Sequence, residues 1–235
     1  MASKPDGKSP KKTPKSKSPR KKDNNNGSPS PRASPRTKGT CDVSRRVRDL
    51  CATWHEMVQK WSTTNSIGLN VANNLMNLQL RRQTTDVDSS NSVAVLSDSS
   101  PSESTELEEN ILKTLEELSQ IVTKMSQICN KMESITESFK AIQKLGNLKE
   151  IDDNKDEIEI FFNTWSLQQY CHFSQKLHAI YRKEMDLKEK LFPHFIRTKD
   201  RNQLMVYLSI WLNEPFLDDD KDVLLESMLI ETGLR

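Results

Sequence analysis

A heptad pattern of apolar residues over 106–145 constrains this chain more than any other feature of its sequence. Apolar side chains recur at the first and fourth positions of each seven residues, which predicts one long helix with a coiled-coil seam. Such a helix spans about 60 Å and needs packing partners along its length. The first positions are Ile111, Leu118, Met125, Met132 and Phe139, and the fourth positions are Leu107, Thr114, Ile121, Ile128, Ile135 and Ile142.

The ends of this helix carry sequence signals of their own. Thr105 precedes Glu108 by three residues, the spacing of a capping box, so we expect the helix to start there. Lys140 and Lys144 suit the negative end of the helix dipole, and Gly146 occupies a usual terminator position.

A second apolar column lies beside the seam at Leu115, Val122 and Cys129. A stripe this wide predicts two neighbouring helices, not one. The neighbours could be helices of the same chain in an internal bundle, or part of the face could bind another protein. We therefore take these three residues as candidate partner-binding residues.

The charge is divided unevenly between the two parts of the chain. Residues 1–40 contain 12 Lys or Arg and 2 Asp, a net charge of +10. The whole chain carries +2, so the remaining residues carry −8. Residues 1–40 also contain no Leu, Ile, Val, Phe, Tyr or Trp, so we predict a disordered basic tail over residues 1–41.

This tail is rich in Ser-Pro and Thr-Pro pairs, which proline-directed kinases phosphorylate. Each phosphate would add about −1.5 to −2 charges and reduce the positive field of the tail. A basic composition of this kind also suits nuclear import or weak contact with nucleic acid, although a purely solubilising role is open. The candidate phosphorylation sites are Ser9, Thr13, Ser18, Ser34 and, further along the chain, Ser100.

Residues 42–82 repeat the heptad pattern and predict a first helical segment, with a kink or break at Gly68. Its inward positions are Val47, Trp54, Trp61 and Leu75, with Leu50, Met57, Val71 and Leu78 beside them. Residues 83–104 are rich in Ser, Asp and Thr and predict a flexible linker, long enough for the two helices to pair antiparallel.

Residues 105–235 are predicted to contain the long helix and three shorter ones. The first short helix begins at a capping box, Ser166 with Gln169, and ends at Pro193. Glu184 interrupts its apolar face at a position that should be buried. The next helix runs from about Asp200 to Pro215, and the last one ends at Gly233. The apolar face expected for the first short helix consists of Tyr170, Phe173, Leu177, Ile180, Leu187 and Leu191. That of the second consists of Leu204, Tyr207, Leu208, Trp211 and Leu212, and that of the last consists of Leu224, Leu225, Met228 and Leu229.

Motifs for catalysis or metal binding are not found in this sequence. It has no Gly-rich phosphate loop, no paired-His helix motif and no Gly-flanked nucleophilic serine. The four cysteines follow neither a metal spacing nor a disulfide framework, so reduced thiols are expected. No apolar run is long enough to cross a membrane. We therefore predict a soluble intracellular protein that is not an enzyme and needs no cofactor.

Several blocks of the sequence resemble the family of cyclin-dependent kinase 2-interacting proteins. They cover about residues 45–235 in the same order, and the C-terminal blocks are the most specific. The blocks are Trp54-His55, Lys60-Trp61, Ala72-Asn73-Asn74, Tyr181-Arg182-Lys183-Glu184, Tyr207-Leu208-Ser209 with Trp211-Leu212 and Pro215, Leu225-Glu226-Ser227-Met228-Leu229, and Glu231-Thr232-Gly233.

The resemblance implies a non-enzymatic nuclear adaptor. Its implied partners are a cyclin-dependent kinase with its cyclin, the origin-firing kinase Cdc7, the partner subunit of a checkpoint kinase, and subunits of an AAA-type ATPase assembly. It implies roles in DNA replication, the DNA damage response, replisome turnover and ribosome biogenesis. The tail is longer than the family pattern, so no tail function is transferred.

Together these features predict an all-α fold, an elongated helical bundle or coiled coil with a disordered basic N-terminal tail. Two alternatives to the adaptor remain. In the first, a chromatin or nucleic-acid-binding protein acts through residues 1–40. In the second, a homodimeric coiled coil uses the wide stripe against its own copy.

Overall fold

The computed structural model describes residues 36–91, 101–153, 160–218 and 220–235. Within these ranges the chain forms α-helices and no β-strand, which confirms the all-α prediction. The helices are α1 (Arg36–Asn91), α2 (Pro101–Asp153), α3 (Leu167–Arg197), α4 (Arg201–Asn213) and α5 (Asp220–Glu231).

The two longest helices, α1 and α2, pack side by side and antiparallel. Arg82 near the end of α1 lies 3.5 Å from Glu108 near the start of α2, and Gly68 lies against Ile121 in the middle. Helix α3 then folds back along α2, so that the Phe139 and Tyr170 rings stack at 6.3 Å. Three antiparallel helices therefore build the core.

The heptad positions of α2 face this core as predicted. All five residues at the first heptad position are buried. The residues at the fourth heptad position are also buried, except Leu107 and Ile128, which are half-buried. On α1 the predicted positions are buried except Leu50, Val71 and Leu78, which are half-buried, and a neighbouring column that the sequence pattern did not predict joins them. This column consists of Cys51, Asn65, Ala72 and Gln79.

Both long helices extend past the boundaries expected from sequence. Helix α1 begins at Arg36, inside the segment predicted to be disordered, and continues to Asn91, inside the predicted linker. Helix α2 begins at Pro101, so Thr105 is not its N-terminal cap. Proline suits the first helical turn because its missing N–H has no partner there. Gly146 does not end α2 either, since the helix continues to Asp153.

Helix α1 passes through its Ser and Thr run without the expected break. Three hydroxyls in the run donate to the carbonyl four residues earlier, as Thr64 does to Lys60 at 2.7 Å, so they do not compete with the helix. Gly68 is buried because the Trp211 ring packs on it: a Cβ there would lie 2.6 Å from Trp211 Cζ2.

Helix α3 starts at Ser166 and Gln169 as predicted, where the Gln169 side chain accepts a 2.7 Å hydrogen bond from the Ser166 backbone N–H. It does not end at Pro193, which lies inside the helix. The last turn is held beyond the proline because Phe195 is fully buried and its carbonyl accepts a 2.7 Å hydrogen bond from Gln79.

The two C-terminal helices cover the sides of the core. Asp200 caps α4 by accepting from Asn202 N–H at 2.9 Å, and Gly233 ends α5 with a left-handed φ of 65°. Helix α4 packs on α1 and α3, and α5 packs on α3 and α1. The predicted inward positions hold except at Leu212, which is exposed because the buried face of α4 consists of Leu204, Leu208 and Trp211.

Replacing Gly68 with Ala should lower the free energy of unfolding by about 1–3 kcal/mol, because the new methyl group would overlap the Trp211 ring. Gly146→Ala is the matched control. A Cβ there would lie 3.7 Å from Leu167, so this change should stabilise α2 by about 0.5–1 kcal/mol. Chemical denaturation measures both, and equal stabilisation by the two changes would contradict the packing described.

Candidate functional site

The candidate binding surface is an apolar strip on the first half of α2, formed by Leu112, Leu115 and Val122. Leu115 and Val122 are half-buried and pack against the core, while Leu112 is 66% exposed. The spacing of three and seven residues places all three on one side of the helix. Apolar side chains therefore remain in contact with solvent along about 15 Å of α2.

The third predicted binding residue, Cys129, lies under α3 instead. Its side chain is fully buried and interacts with Arg182 of α3. Helix α3 is thus the second neighbour that the wide stripe required, and it covers the stripe at Cys129 more completely than at Val122. Partner binding by Leu115, Val122 and Cys129 stays a prediction.

A shallow polar depression lies beside the strip and is open to solvent. It is lined by Ser119, Gln120, Thr123, Lys124 and Gln127, all from α2. Because one helix supplies every lining residue, the depression does not enclose a small molecule. Its hydroxyl and amide groups instead provide a polar border for an apolar contact surface.

The position of α4 depends on a cluster around Lys188, whose side chain is fully inaccessible to solvent. Its Nζ lies 3.2 Å from Glu184 Oε1 and 3.6 Å from Glu214 Oε1. The same group donates to the Trp211 carbonyl at 3.2 Å and lies 4.6 Å from the centre of the Trp211 ring. The ammonium thus joins α3 to the end of α4.

The two carboxylates of this cluster have further partners. Glu214 accepts a 2.7 Å hydrogen bond from the Trp61 indole of α1, and Glu184 accepts a 3.1 Å hydrogen bond from the Phe216 backbone. Glu214 adopts a left-handed backbone conformation, with φ 43°, as it ends α4. One buried network therefore fixes α1, α3 and the turn after α4 together.

Burial controls the protonation of this cluster. Desolvation lowers the pKa of Lys188, although Glu214 and Glu184 oppose the shift. Desolvation also raises the pKa of Glu214, against the effects of Lys188 and the Trp61 hydrogen bond. Each charge is thus costly without its partner, and the cluster has a structural role.

A second polar contact joins the three core helices. The Trp54 indole of α1 donates to the Ser174 hydroxyl of α3 at 2.9 Å. That hydroxyl is 2.9 Å from the hydroxyl of Thr136 on α2. Ser174 and Thr136 are both buried, and this contact satisfies them while fixing the register of the helices.

A third polar contact anchors the end of α5. The Glu231 carboxylate accepts from the backbone N–H groups of Thr164 and Trp165, the latter at 2.7 Å. Arg48 of α1 donates to the Thr232 carbonyl at 3.0 Å. Desolvation would raise the pKa of Glu231, but the hydrogen bonds from Thr164 and Trp165 lower it below its ordinary value.

Cys51, Cys129 and Cys171 are poor nucleophiles. Burial raises the pKa of Cys51 to about 12, although a hydrogen bond with Thr232 opposes the shift. Burial also raises the pKa values of Cys129 and Cys171. All three are free thiols that stay protonated at neutral pH. In the described part of the chain, no group of three or more His, Cys, Asp or Glu side chains could hold a metal ion.

No helix among the described residues is long and apolar enough to cross a membrane. The five candidate phosphorylation sites lie outside the described residues. They are Ser9, Thr13, Ser18, Ser34 and Ser100.

Of the three charged residues in the buried cluster, the sequence pattern singled out Glu184 and gave no indication of Lys188 or Glu214, while Trp61 and Trp211 were predicted to face inward. Glu184 stood out because it interrupted an apolar face. Lys188 follows it by four residues, and this Glu-Lys spacing could have identified the pair. Glu214 had no local signal, because only the packing of α4 brings it next to Trp61 and Lys188.

The fold and these clusters define a class: a helical bundle whose buried polar groups hold its helices together and whose surface carries an apolar strip. No family model matches the chain. It is 32% identical over 195 residues to the cyclin-dependent kinase 2-interacting protein of Xenopus laevis, covering 82% of this chain and 90% of the relative.

Mammalian relatives with the same name give similar values. The human protein is 32% identical over 195 residues, again 82% of this chain and 90% of the relative. The mouse protein is 28% identical over 206 residues, 86% of this chain and 95% of the relative. The chain belongs to the family of cyclin-dependent kinase 2-interacting proteins, as the sequence blocks indicated.

Replacing Lys188 with Met should destabilise the fold by about 3–5 kcal/mol, because the buried carboxylate of Glu184 and the half-buried carboxylate of Glu214 lose their counter-charge. The combined change Glu184→Gln, Lys188→Met and Glu214→Gln removes all three charges and should recover much of the loss. Urea denaturation followed by circular dichroism measures both variants. A single substitution no more harmful than the triple one would contradict the structural role of the ion pairs.

The Glu231 contact should make stability depend on pH. Its pKa is lowered on folding, so the stabilisation is fully present above the unfolded pKa of about 4.5 and is lost as pH falls through the folded value. At pH 7, Glu231→Gln should cost about 1–2 kcal/mol, since it weakens hydrogen bonds to a charged acceptor. Thermal unfolding of both proteins from pH 7 to pH 3 should show this difference shrinking, whereas a constant difference would exclude a charged acceptor.

Proposed function

We propose that this chain is a non-enzymatic nuclear adaptor that binds cyclin-dependent kinase 2 through its helical body. The similarity to relatives named for interaction with that kinase carries the proposal, since it extends over 82% of the chain and 90% of the relatives. A similarity of this extent includes much of the helical body, because the segment before the first described residue is only 35 residues long.

The apolar strip of Leu112, Leu115 and Val122 supports this proposal as the contact surface. Apolar side chains in contact with solvent and bordered by polar groups match the apolar centre and polar rim of a protein interface. The strip lies on a helix that its neighbours hold rigidly, so binding it requires no rearrangement of the core. A helix or extended segment of the kinase or its cyclin would cover these side chains.

The finer role that we propose follows the family resemblance. In it the adaptor connects cyclin-dependent and Cdc7-type kinases with replication and checkpoint factors. It also takes part in an AAA-type ATPase assembly that acts in replisome turnover and ribosome biogenesis. Three long antiparallel helices offer a surface large enough for several partners, which is the physical support for a multi-partner role.

The basic N-terminal segment would modulate this function. Its net charge of +10 over residues 1–40 suits nuclear import and weak, salt-dependent contact with nucleic acid. Phosphorylation at Ser9, Thr13, Ser18 or Ser34 would reduce that charge and weaken the contact. The kinase that binds the body would then have substrates within the same chain.

Replacing Leu112 with Glu should weaken kinase binding about tenfold, the effect of losing one well-placed apolar contact. Leu145→Glu is the matched control, because Leu145 is on the same helix and is 58% exposed against 66% for Leu112. Binding of the purified full chain to cyclin-dependent kinase 2 with its cyclin measures both. Equal affinities for the two variants would contradict the assignment of the strip.

A version lacking residues 1–35 tests the division between body and tail. Affinity purification from nuclear extract should recover the same kinases and ATPase subunits with and without the tail. If deletion of the tail abolished all specific recovery, and the full chain captured only histones and nucleic acid, the adaptor role would be wrong. The chromatin-binding alternative would then replace it.

A further inference from the structure

A serine or threonine with an acidic residue three positions later is the pattern that acid-directed protein kinases phosphorylate. A basic pocket of such a kinase binds the acidic side chain, so the charge pattern selects the acceptor. Four acceptors whose side chains the structure describes follow this pattern. They are Thr53 with Glu56, Thr105 with Glu108, Thr114 with Glu117, and Ser134 with Glu137.

Burial and position within a helix separate these four acceptors. Thr114 is buried, and its hydroxyl donates to a carbonyl of the preceding turn at 2.8 Å. Thr53 lies inside α1 beside the buried Trp54, and Ser134 lies inside α2 beside the buried Ile135. A kinase binds its acceptor segment in an extended conformation, so phosphorylation at these three positions would require core helices to unfold.

Thr105 lies instead in the first turns of α2, ahead of the core. Its side chain is exposed, as are those of Glu106 and Glu108. Leu107 is half-buried, and the next apolar residue, Ile111, is the first one after Thr105 to be buried. This part of the helix can therefore open without exposing a buried side chain, which gives a kinase access to Thr105.

The same turn of α2 lies beside a guanidinium group of α1. Arg82 Nη1 is 3.5 Å from Glu108 Oε1, which is longer than the distance of about 2.7–2.9 Å in a charge-assisted hydrogen bond. The two side chains are 30% and 50% exposed, so this ion pair contributes little to stability. Thr105 precedes Glu108 by three residues and is its neighbour on the helix surface. A phosphate on Thr105 would therefore be within reach of Arg82.

We propose that Thr105 is a phosphorylation site for an acid-directed protein kinase and that Arg82 binds the resulting phosphate. The kinase transfers the γ-phosphoryl group of ATP: a P–O bond to Thr105 Oγ1 forms, the bond from the γ-phosphorus to the β,γ-bridging oxygen breaks, and ADP leaves. The hydroxyl proton passes to the catalytic aspartate of the kinase and then to solvent. The phosphate carries about −1.5 to −2 charges and offers two oxygens to the planar guanidinium, so it displaces the Glu108 carboxylate.

Phosphorylation at this position joins the end of α1 to the start of α2. Leu107 is only half-buried, so apolar packing holds this part of α2 weakly. The guanidinium–phosphate pair adds a charge-assisted contact between the two helices and slows the opening of the first turns. The site does not depend on the kinase binding that we propose for the strip of Leu112, Leu115 and Val122.

Treatment of the full chain with casein kinase 2, an acid-directed kinase, and Mg·ATP tests the site. Peptide mass spectrometry should place a phosphate on Thr105 and none on Thr114 or Ser134. Glu108→Gln should slow phosphorylation of Thr105 about tenfold, whereas Glu109→Gln, the matched control at the neighbouring exposed glutamate, should slow it about twofold or less. No phosphate on Thr105, or phosphorylation of Thr114 or Ser134 at the same rate, would overturn the site.

Hydrogen–deuterium exchange of the phosphorylated chain tests the role of Arg82. Amides over 104–110 should exchange about tenfold more slowly once Thr105 is phosphorylated. Thr105→Val, treated with the kinase in the same way, keeps any phosphate added elsewhere and should show no such slowing. Arg82→Gln should cancel the slowing, whereas Arg46→Gln, at an exposed arginine near the other end of α1, should not. Equal slowing in Arg82→Gln and the wild type would exclude the contact between Arg82 and the phosphate.

Discussion

The arrangement of this chain depends on the burial of one ammonium group. Lys188 lies in the interior with two carboxylates, a backbone carbonyl and an indole ring around it. An unpaired charge in such a place is strongly destabilising, so Glu184 and Glu214 must both be in position when α3 and α4 pack. Because Glu214 also binds the Trp61 indole, the same requirement fixes α4 against α1.

Polar contacts of this kind specify where each short helix packs, while the apolar core supplies most of the stability. The hydroxyls of Ser174 and Thr136 fix the register of the three long helices, and Glu231 fixes the end of α5. With these contacts formed, the bundle has a defined surface: α3 covers α2 fully at Cys129 and incompletely at Leu115 and Val122. A rigid half-covered strip is the physical basis of the proposed adaptor function.

The heptad pattern predicted the inward face of α2 from Ile111 to Ile142, because burial on a long helix repeats in the sequence itself. The predicted C-terminal ends of α2 and α3 were wrong, since Gly146 and Pro193 both lie inside these helices. Gly68 was read as a break, but its role is to admit the Trp211 ring, a contact between residues 143 positions apart that no local pattern encodes. Leu115 and Val122 were predicted as an additional apolar column on α2, and both are half-buried against the core. The full burial of Cys129 in the same column could not be predicted, because it depends on where α3 packs.

The strip on α2 is the surface proposed to contact the kinase. Hydrogen–deuterium exchange of the full chain with and without cyclin-dependent kinase 2 and its cyclin tests it directly. Amides over 108–126 should exchange more slowly in the complex, while those around Thr136, already protected by the core, should not change. Protection confined to the N-terminal segment or to α4, with no change over 108–126, would contradict the account.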